Sequence, residues 1–118
     1  AYITFHSYGQ YILFPWGYDQ TYTSDHNELQ NVANKMSMAM RSVSGGNYRA
    51  GTSATMLYAA SGGSDDWAKG AAGIKYAYTI ELRDTGTYGF LLPAAYINPT
   101  ANEGLAAVKV IANAVAAL

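Results

Sequence analysis

One hundred and eighteen residues make one domain's worth of chain, half of it hydrophobic and only 13% charged, which excludes a disordered or polyelectrolyte chain. Seven Lys and Arg against eight Asp and Glu leave a net charge of -1 with no basic run, so no nucleic-acid partner is expected. Cysteine is absent, which excludes disulfides, thiolate zinc sites and thiol nucleophiles, and no apolar stretch reaches the roughly 18 to 20 residues of a membrane span.

The chain opens on Ala1-Tyr-Ile-Thr-Phe-His6, a β-branched and aromatic run that predicts a buried strand. A hydrophobic strand at residue 1, with no starting Met and no leader, is expected of a cut end, the C-terminal part of something larger. Ser7 to Thr23 holds Gly9, Pro15 and Gly17 among aromatics and predicts a loop with its own packing. Asp25-His-Asn-Glu28 has the form of a capping box with Asp in place of Ser or Thr. From there Leu29, Val32, Ala33, Met36, Met38, Ala39, Met40 and Val43 keep helical spacing until Gly45-Gly46 stops the helix. The methionines predict core filling rather than a metal or cofactor site.

Tyr48 to Gly63 is a mixed segment with a strand-like piece at Ala54 to Tyr58. Ser61-Gly-Gly-Ser64 predicts a turn, and Asp65-Asp66-Trp67-Ala68 starts a short helix with two carboxylates at its positive end. Ile74 to Leu82 alternates, with Ile74, Tyr76, Tyr78 and Ile80 on one face and Lys75, Ala77, Thr79 and Glu81 on the other. Asp84-Thr-Gly86 turns the chain. Thr100-Ala-Asn-Glu103 fits a capping box and opens a terminal helix to about Ala117. Alternating strand and helix, with no repeat or linker, predicts an α/β fold.

The chemical inventory is thin. His26 sits in the first turn of a helix and reads as a surface residue; it diverges from Glu28 and cannot share a metal with it. His6 ends an apolar strand, as a buried structural histidine or as a site residue. Glu81 ends a strand of Tyr, Thr and Ile, where a carboxylate is costly unless paired or functional. Arg83, two residues on, offers an ion pair; a general-base role is the alternative. Gly86-Thr-Tyr-Gly89 and Ser61-Gly-Gly-Ser64 lack the Lys and spacing of a phosphate cradle, no Ser lies in a nucleophile elbow, and Pro99 spoils the glycosylation pattern at Asn98.

Phe5-His-Ser-Tyr8, Ala60-Ser-Gly-Gly-Ser-Asp-Asp-Trp67, Tyr78-Thr-Ile-Glu-Leu-Arg-Asp-Thr-Gly86 and Tyr88-Gly-Phe-Leu-Leu-Pro93 occur in this order. Together they resemble the zinc metallocarboxypeptidases of the pancreatic A/B type, over essentially the whole chain. The resemblance implies the C-terminal portion of a three-layer α/β/α catalytic domain with a mixed sheet, residues 1–118 being less than half of it. It implies one zinc ion with His6 as a ligand, and two further ligands, a His and a Glu, on an absent upstream segment. Arginines that clamp the substrate carboxylate are expected there too, so residues 1–118 alone are expected to be inactive. Glu81 is implied as the general base that takes a proton from zinc-activated water and delivers it to the leaving amine.

The same resemblance makes Tyr58 the mobile-loop tyrosine that swings over the substrate, Ser7 and Tyr8 lining residues of the groove, and Phe90 a hydrophobic contact beside it. Asp65 falls at the floor of the side-chain pocket, where an aliphatic residue suits apolar C-termini and an Asp suits Lys and Arg. Its structural alternative is to cap the short helix. Asp66 matches an Asp common to both subtypes. Ser53, Ala60, Gly63 and Thr79 fall at other pocket positions, all small enough to admit a long side chain. Trp67 to Gly73 is one residue longer than the usual mammalian form. The expected protein is therefore a secreted, digestive-type exopeptidase that removes C-terminal Lys or Arg from peptides and proteins, partnered by its upstream portion. An A-like or broad-specificity enzyme and a catalytically dead scaffold or binding module are the alternatives.

Overall fold

A computed structural model of the chain describes residues 1–118. Four strands, β1 (Tyr2–Ser7), β2 (Tyr11–Phe14), β3 (Arg49–Thr52) and β4 (Ala77–Leu82), form one sheet in the order β1-β4-β2-β3. The β1–β4 and β2–β3 pairs are parallel and the β2–β4 pair is antiparallel, so the sheet is mixed. Two long helices, α1 (His26–Ser44) and α4 (Ile97–Ala116), pack on each other and cover one face. A single turn, α2 (Ser53–Met56), follows β3 directly, and the short α3 (Ser64–Gly70) lies against β1 and β4. The α/β class expected from alternating elements is the architecture found.

The alternation in β4 divides its side chains as the sequence predicts. Tyr78 and Ile80 are fully buried under the helices with Ile12, Phe14, Leu29, Met36, Met40, Ala107 and Ile111. Each of the Ile, Leu, Phe and Met side chains among them contributes roughly 1.5–3 kcal/mol by leaving water. Thr79 and Glu81 face the opposite side, in register with Leu13 and Tyr11 of β2. Helix α1 ends at Gly45, whose φ of 78° is the left-handed conformation that a glycine adopts without cost and whose N–H donates to the Arg41 carbonyl. The Asp84 turn also forms, with its carboxylate accepting from the N–H groups of Gly86, Tyr88 and Gly89.

Several expectations fail, each for a physical reason. The predicted loop from Ser7 to Thr23 contains β2, where Ile12, Leu13 and Phe14 are at most 2% exposed. A strand covered on both faces has no polar alternation to display, and Gly9 and Pro15 merely bracket it. The strand near Ala54 is instead Arg49–Thr52, and residues 53–56 make a helical turn. β1 forms as predicted but is not buried: it is the edge of the sheet, with Phe5 46% exposed and its outer hydrogen-bonding side unpaired. Met38 and Val43 are exposed, so of the α1 methionines only Met36 and Met40 fill the core, beside Leu29, Val32 and Ala33. His26 is no free surface residue, because its ring stacks on Tyr22 at 4.2 Å and leans on Phe14 at 5.6 Å.

Neither capping box caps. Helix α4 starts at Ile97, with Pro99 in the first turn where an N–H is dispensable, so Thr100 and Glu103 lie inside it. Glu103 is completely buried and accepts from Arg83 Nε at 2.7 Å, Arg83 Nη2 at 2.9 Å and Tyr48 Oη at 3.2 Å. That forked pair ties the end of β4 to α4 and the loop after α1, since Arg83 also donates to the Ser44 carbonyl. Its charge is neutralised inside the fold, and breaking such a pair costs more than the pair itself contributes.

Asp25 likewise makes no side-chain cap; its carboxylate takes Lys69 Nζ at 2.7 Å and Lys75 Nζ at 3.2 Å. Burial alone raises this carboxyl, but hydrogen bonds led by Lys69 outweigh it and bring the pKa from 3.8 to about 2. An acid whose folded pKa is lowered stabilises above its unfolded pKa and loses that contribution as pH falls through the folded one. The gain is at most about 2 kcal/mol and nearer 1 where water reaches the lysines. Urea unfolding of Asp25→Asn beside the parent should show a deficit of about that size at pH 7 that fades as pH falls and is gone by about pH 1. A deficit independent of pH would mean that the charge is not what stabilises.

Candidate active site

Residues paired on neighbouring strands point to the same face of a sheet. One row away from α1 and α4 therefore reads His6, Glu81, Tyr11, Arg49 across β1, β4, β2 and β3. The adjacent row reads Thr4, Thr79, Leu13, Gly51. A cavity of about 450 Å³ opens over the middle of these rows. Its lining includes His6, Ser53, Tyr58, Ala60, Gly63, Asp65, Thr79 and Glu81, so these residues converge from three separate stretches of chain.

Ser7, Tyr8 and Phe90 are not brought into this cavity. Ser7 follows His6 on β1 and pairs with Leu82, so strand alternation turns it toward the opposite face. Tyr8 stands beyond the strand end with its ring edge-on to Phe90, centroids 4.9 Å apart, and Phe90 is 76% exposed. Gly89 permits this pairing: at φ 59° it is left-handed, and a Cβ there would lie 3.1 Å from the Tyr8 ring.

The electrostatics single out two carboxyl groups. Asp65 is 5% exposed; Oδ1 accepts the N–H of Asp66 and Oδ2 is buried without a partner. Burial, reinforced by the charge of Asp66, raises its pKa above the ordinary carboxylate range. Glu81 Oε2 is also buried and unpartnered, and burial raises that pKa too, against the opposing influence of His6. Buried carboxyl oxygens normally find donors, so two orphans on residues that line one cavity mark a place built for something other than stability.

The structural alternatives weighed for them do not hold. Arg83, the candidate partner of Glu81, is committed to Glu103. Helix α3 is capped by Gly63 with no side-chain bond, so Asp65 is not its cap. Asp66 has the structural task instead: its carboxylate accepts from Gly17 N at 2.9 and 3.1 Å and from Tyr18 N at 3.0 Å. Those bonds hold the chain after β2 against α3. The Gly17 carbonyl in turn accepts from Ala60 N at 2.8 Å, fixing the pocket wall.

Gly17, Leu13 and Leu57 also line the cavity and are not among the sequence-chosen residues. At Gly17 an added Cβ would lie 3.3 Å from Ser53 Cβ, a tight contact in the pocket wall. Tyr58 lines the cavity and is 73% exposed. Chemically, the site offers one imidazole, one proton acceptor of raised affinity and one buried acid in a walled pocket.

Comparison with known proteins places these features in context. A family model described as zinc carboxypeptidase matches residues 1–107. The carboxypeptidase B of Astacus astacus is 53% identical over 113 residues, 96% of this chain and 37% of that relative. Human carboxypeptidase O is 51% identical over 108 residues, 92% of this chain and 29% of that relative. The structure of bovine thrombin-activatable fibrinolysis inhibitor in complex with tick carboxypeptidase inhibitor superposes with a TM-score of 0.94 at 49% identity. That match covers 98% of this chain and 39% of the other, so the chain spans well under half of the proteins it resembles.

Proposed function

The chain belongs to the zinc carboxypeptidase family, and from that premise we propose that residues 1–118 are the C-terminal segment of a catalytic domain that releases C-terminal Lys or Arg. The observation that carries this reading is that Asp65 and Glu81, each with a buried carboxyl oxygen lacking a partner, line one cavity. Asp65 is the acid that meets a guanidinium or ammonium, and an apolar side chain would leave it unpaired. Ser53, Ala60, Gly63 and Thr79 leave room for the length of such a side chain. Glu81 takes the proton of the attacking water and returns it to the departing amine, and its burial gives it the proton affinity that both transfers need. Tyr58 closes over the terminal carboxylate from the rim, Tyr8 and Phe90 lie further out beside the groove, and Ser7, turned to the other face of β1, takes no part.

No three His, Cys, Asp or Glu of this chain are grouped to hold a metal. What fits zinc here is a single ligand: His6 is exposed at the strand end, lines the cavity and stands in register with Glu81. The remaining ligands belong to the upstream portion, as do the groups that hold the substrate carboxylate, so this segment works only when assembled with it. Zinc, once bound, would supply a Lewis acid that polarises the scissile carbonyl and acidifies water. The assembled protein is a secreted enzyme acting on peptide and protein C-termini.

The test is an assay of the assembled protein on peptides that differ only in their last residue. Arg and Lys should be released about 100-fold faster in kcat/KM than Phe, with one zinc per molecule and activity lost on chelation. Faster release of Phe than of Arg would overturn the specificity, and full activity after chelation would overturn the metal assignment.

A further inference from the structure

A second cavity, of about 670 Å³, lies on the far side of Tyr11. Tyr8, Tyr11, Gln10, Asn47, Arg41 and Arg49 line it, and no acidic residue does. Arg83, Lys69 and Lys75 each have a carboxylate partner, whereas Arg41 and Arg49 have none. Arg41 Nη2 donates to the neutral Asn47 Oδ1, and Gln10 Nε2 donates to the Asn47 carbonyl at 2.8 Å. Arg49 lies over the Tyr11 ring at 5.8 Å, which fixes its direction but leaves its N–H donors open. The nearby acids are spent: Glu103 on Arg83 and Tyr48, and Asp84 on three backbone N–H groups.

The placement is as informative as the charge. Arg49 belongs to the row that carries His6 and Glu81, two strands from Glu81. Strands are about 4.8 Å apart, so its backbone is roughly 10 Å from that of Glu81. Leu13 lines the first cavity and Tyr11 the second, two residues along β2, and Arg41 reaches the second from the last turns of α1, so the basic cavity sits at the end of the sheet. Three or four extended residues, at roughly 3.3 Å each, span the distance from Glu81 to this basic cavity.

We infer that Arg41 and Arg49 form a carboxylate-binding subsite for an acidic side chain of the substrate, three or four residues on the N-terminal side of the cleaved bond. This rests on the exopeptidase reading above. It adds a preference at the opposite end of the groove from Asp65, so the favoured substrate carries an acid and a base a few residues apart.

The test uses the assembled enzyme and matched peptides ending in Arg, with Glu or Gln at the third or fourth position before the scissile bond. The Glu peptides should show kcat/KM about tenfold higher at low salt, as charge-assisted bonds at a half-open site give. The advantage should shrink by 0.5 M NaCl. Arg41→Gln with Arg49→Gln should abolish it and leave the rate on the Gln peptide unchanged. No advantage in the parent, or one that survives the double substitution, overturns the inference. Inorganic phosphate should inhibit the Glu peptide selectively; if it instead accelerates the Gln peptide, the site serves a free anion and not the substrate. Calorimetric binding of the same peptides to the Glu81→Gln enzyme separates this inference from the catalytic reading. A tenfold preference for Glu there supports the subsite whatever becomes of catalysis, and its absence overturns it.

Discussion

Glu81→Gln in the assembled enzyme should lower kcat on a peptide ending in Arg by about 100- to 10,000-fold, the span attributed to a positioned general base. The substitution keeps shape and volume and removes only the ability to take a proton. Because Glu81 Oε2 has no donor to lose, the fold should not suffer. Removing a charge whose ionisation burial already opposes leaves stability at neutral pH equal or slightly raised. Activity and melting temperature should therefore separate: one collapses while the other holds. Undiminished peptide cleavage by the variant would remove the general-base assignment.

Asp65→Leu should lower kcat/KM for C-terminal Arg by about 1,000-fold and raise it for C-terminal Phe. The loss follows from leaving a guanidinium in a pocket without its counter-charge, a deficit of about 3–5 kcal/mol when one partner of a buried pair is removed. Asp65→Asn, which keeps a hydrogen-bond acceptor but no charge, should fall between the two. The isolated fold again gains, because Asp65 is 5% exposed and its Oδ2 is unsatisfied without substrate. If Asp65→Leu cleaved Arg as before, the carboxylate would not be the pocket floor, and specificity would have to come from the upstream portion.

How far the sequence could be read depended on how many faces each element shows to water. Strand β4 was legible because Tyr78 and Ile80 enter the core while Thr79 and Glu81 do not, a contrast visible at period two. Strand β2 was not, because both its faces are covered and an uninterrupted Tyr-Ile-Leu-Phe between Gly and Pro carries no period. The capping-box patterns misled for a different reason. Asp25 and Glu103 are worth more to the fold as partners of distant cations than as local caps, and residues 44 and 20 positions away cannot be foreseen from spacing.

The candidate site was legible as an expense. A carboxylate at the end of an apolar strand demands explanation, and Glu81 stood out on that ground alone. Asp65 did not, since two acids at a helix start have an ordinary reason to be there; only the resemblance gave it a role. Which of Ser7 and His6 faces the groove was decided by register with β4, which the residues of β1 alone do not encode. Arg41 and Arg49 gave no signal at all. One ends a helix, the other begins a strand, and only folding shows that neither meets an acid.

The open side of β1 has a consequence for handling the protein. From Tyr2 to Ser7 a ladder of N–H and C=O groups faces outward, flanked by the exposed ring of Phe5, with no proline or bulge to blunt it. Such an edge is a template, and in a concentrated solution of this chain the best-matched strand available to it is another copy's β1. Self-association into β-paired aggregates is the expected outcome at that edge, so dilute preparations should give more usable protein than concentrated ones.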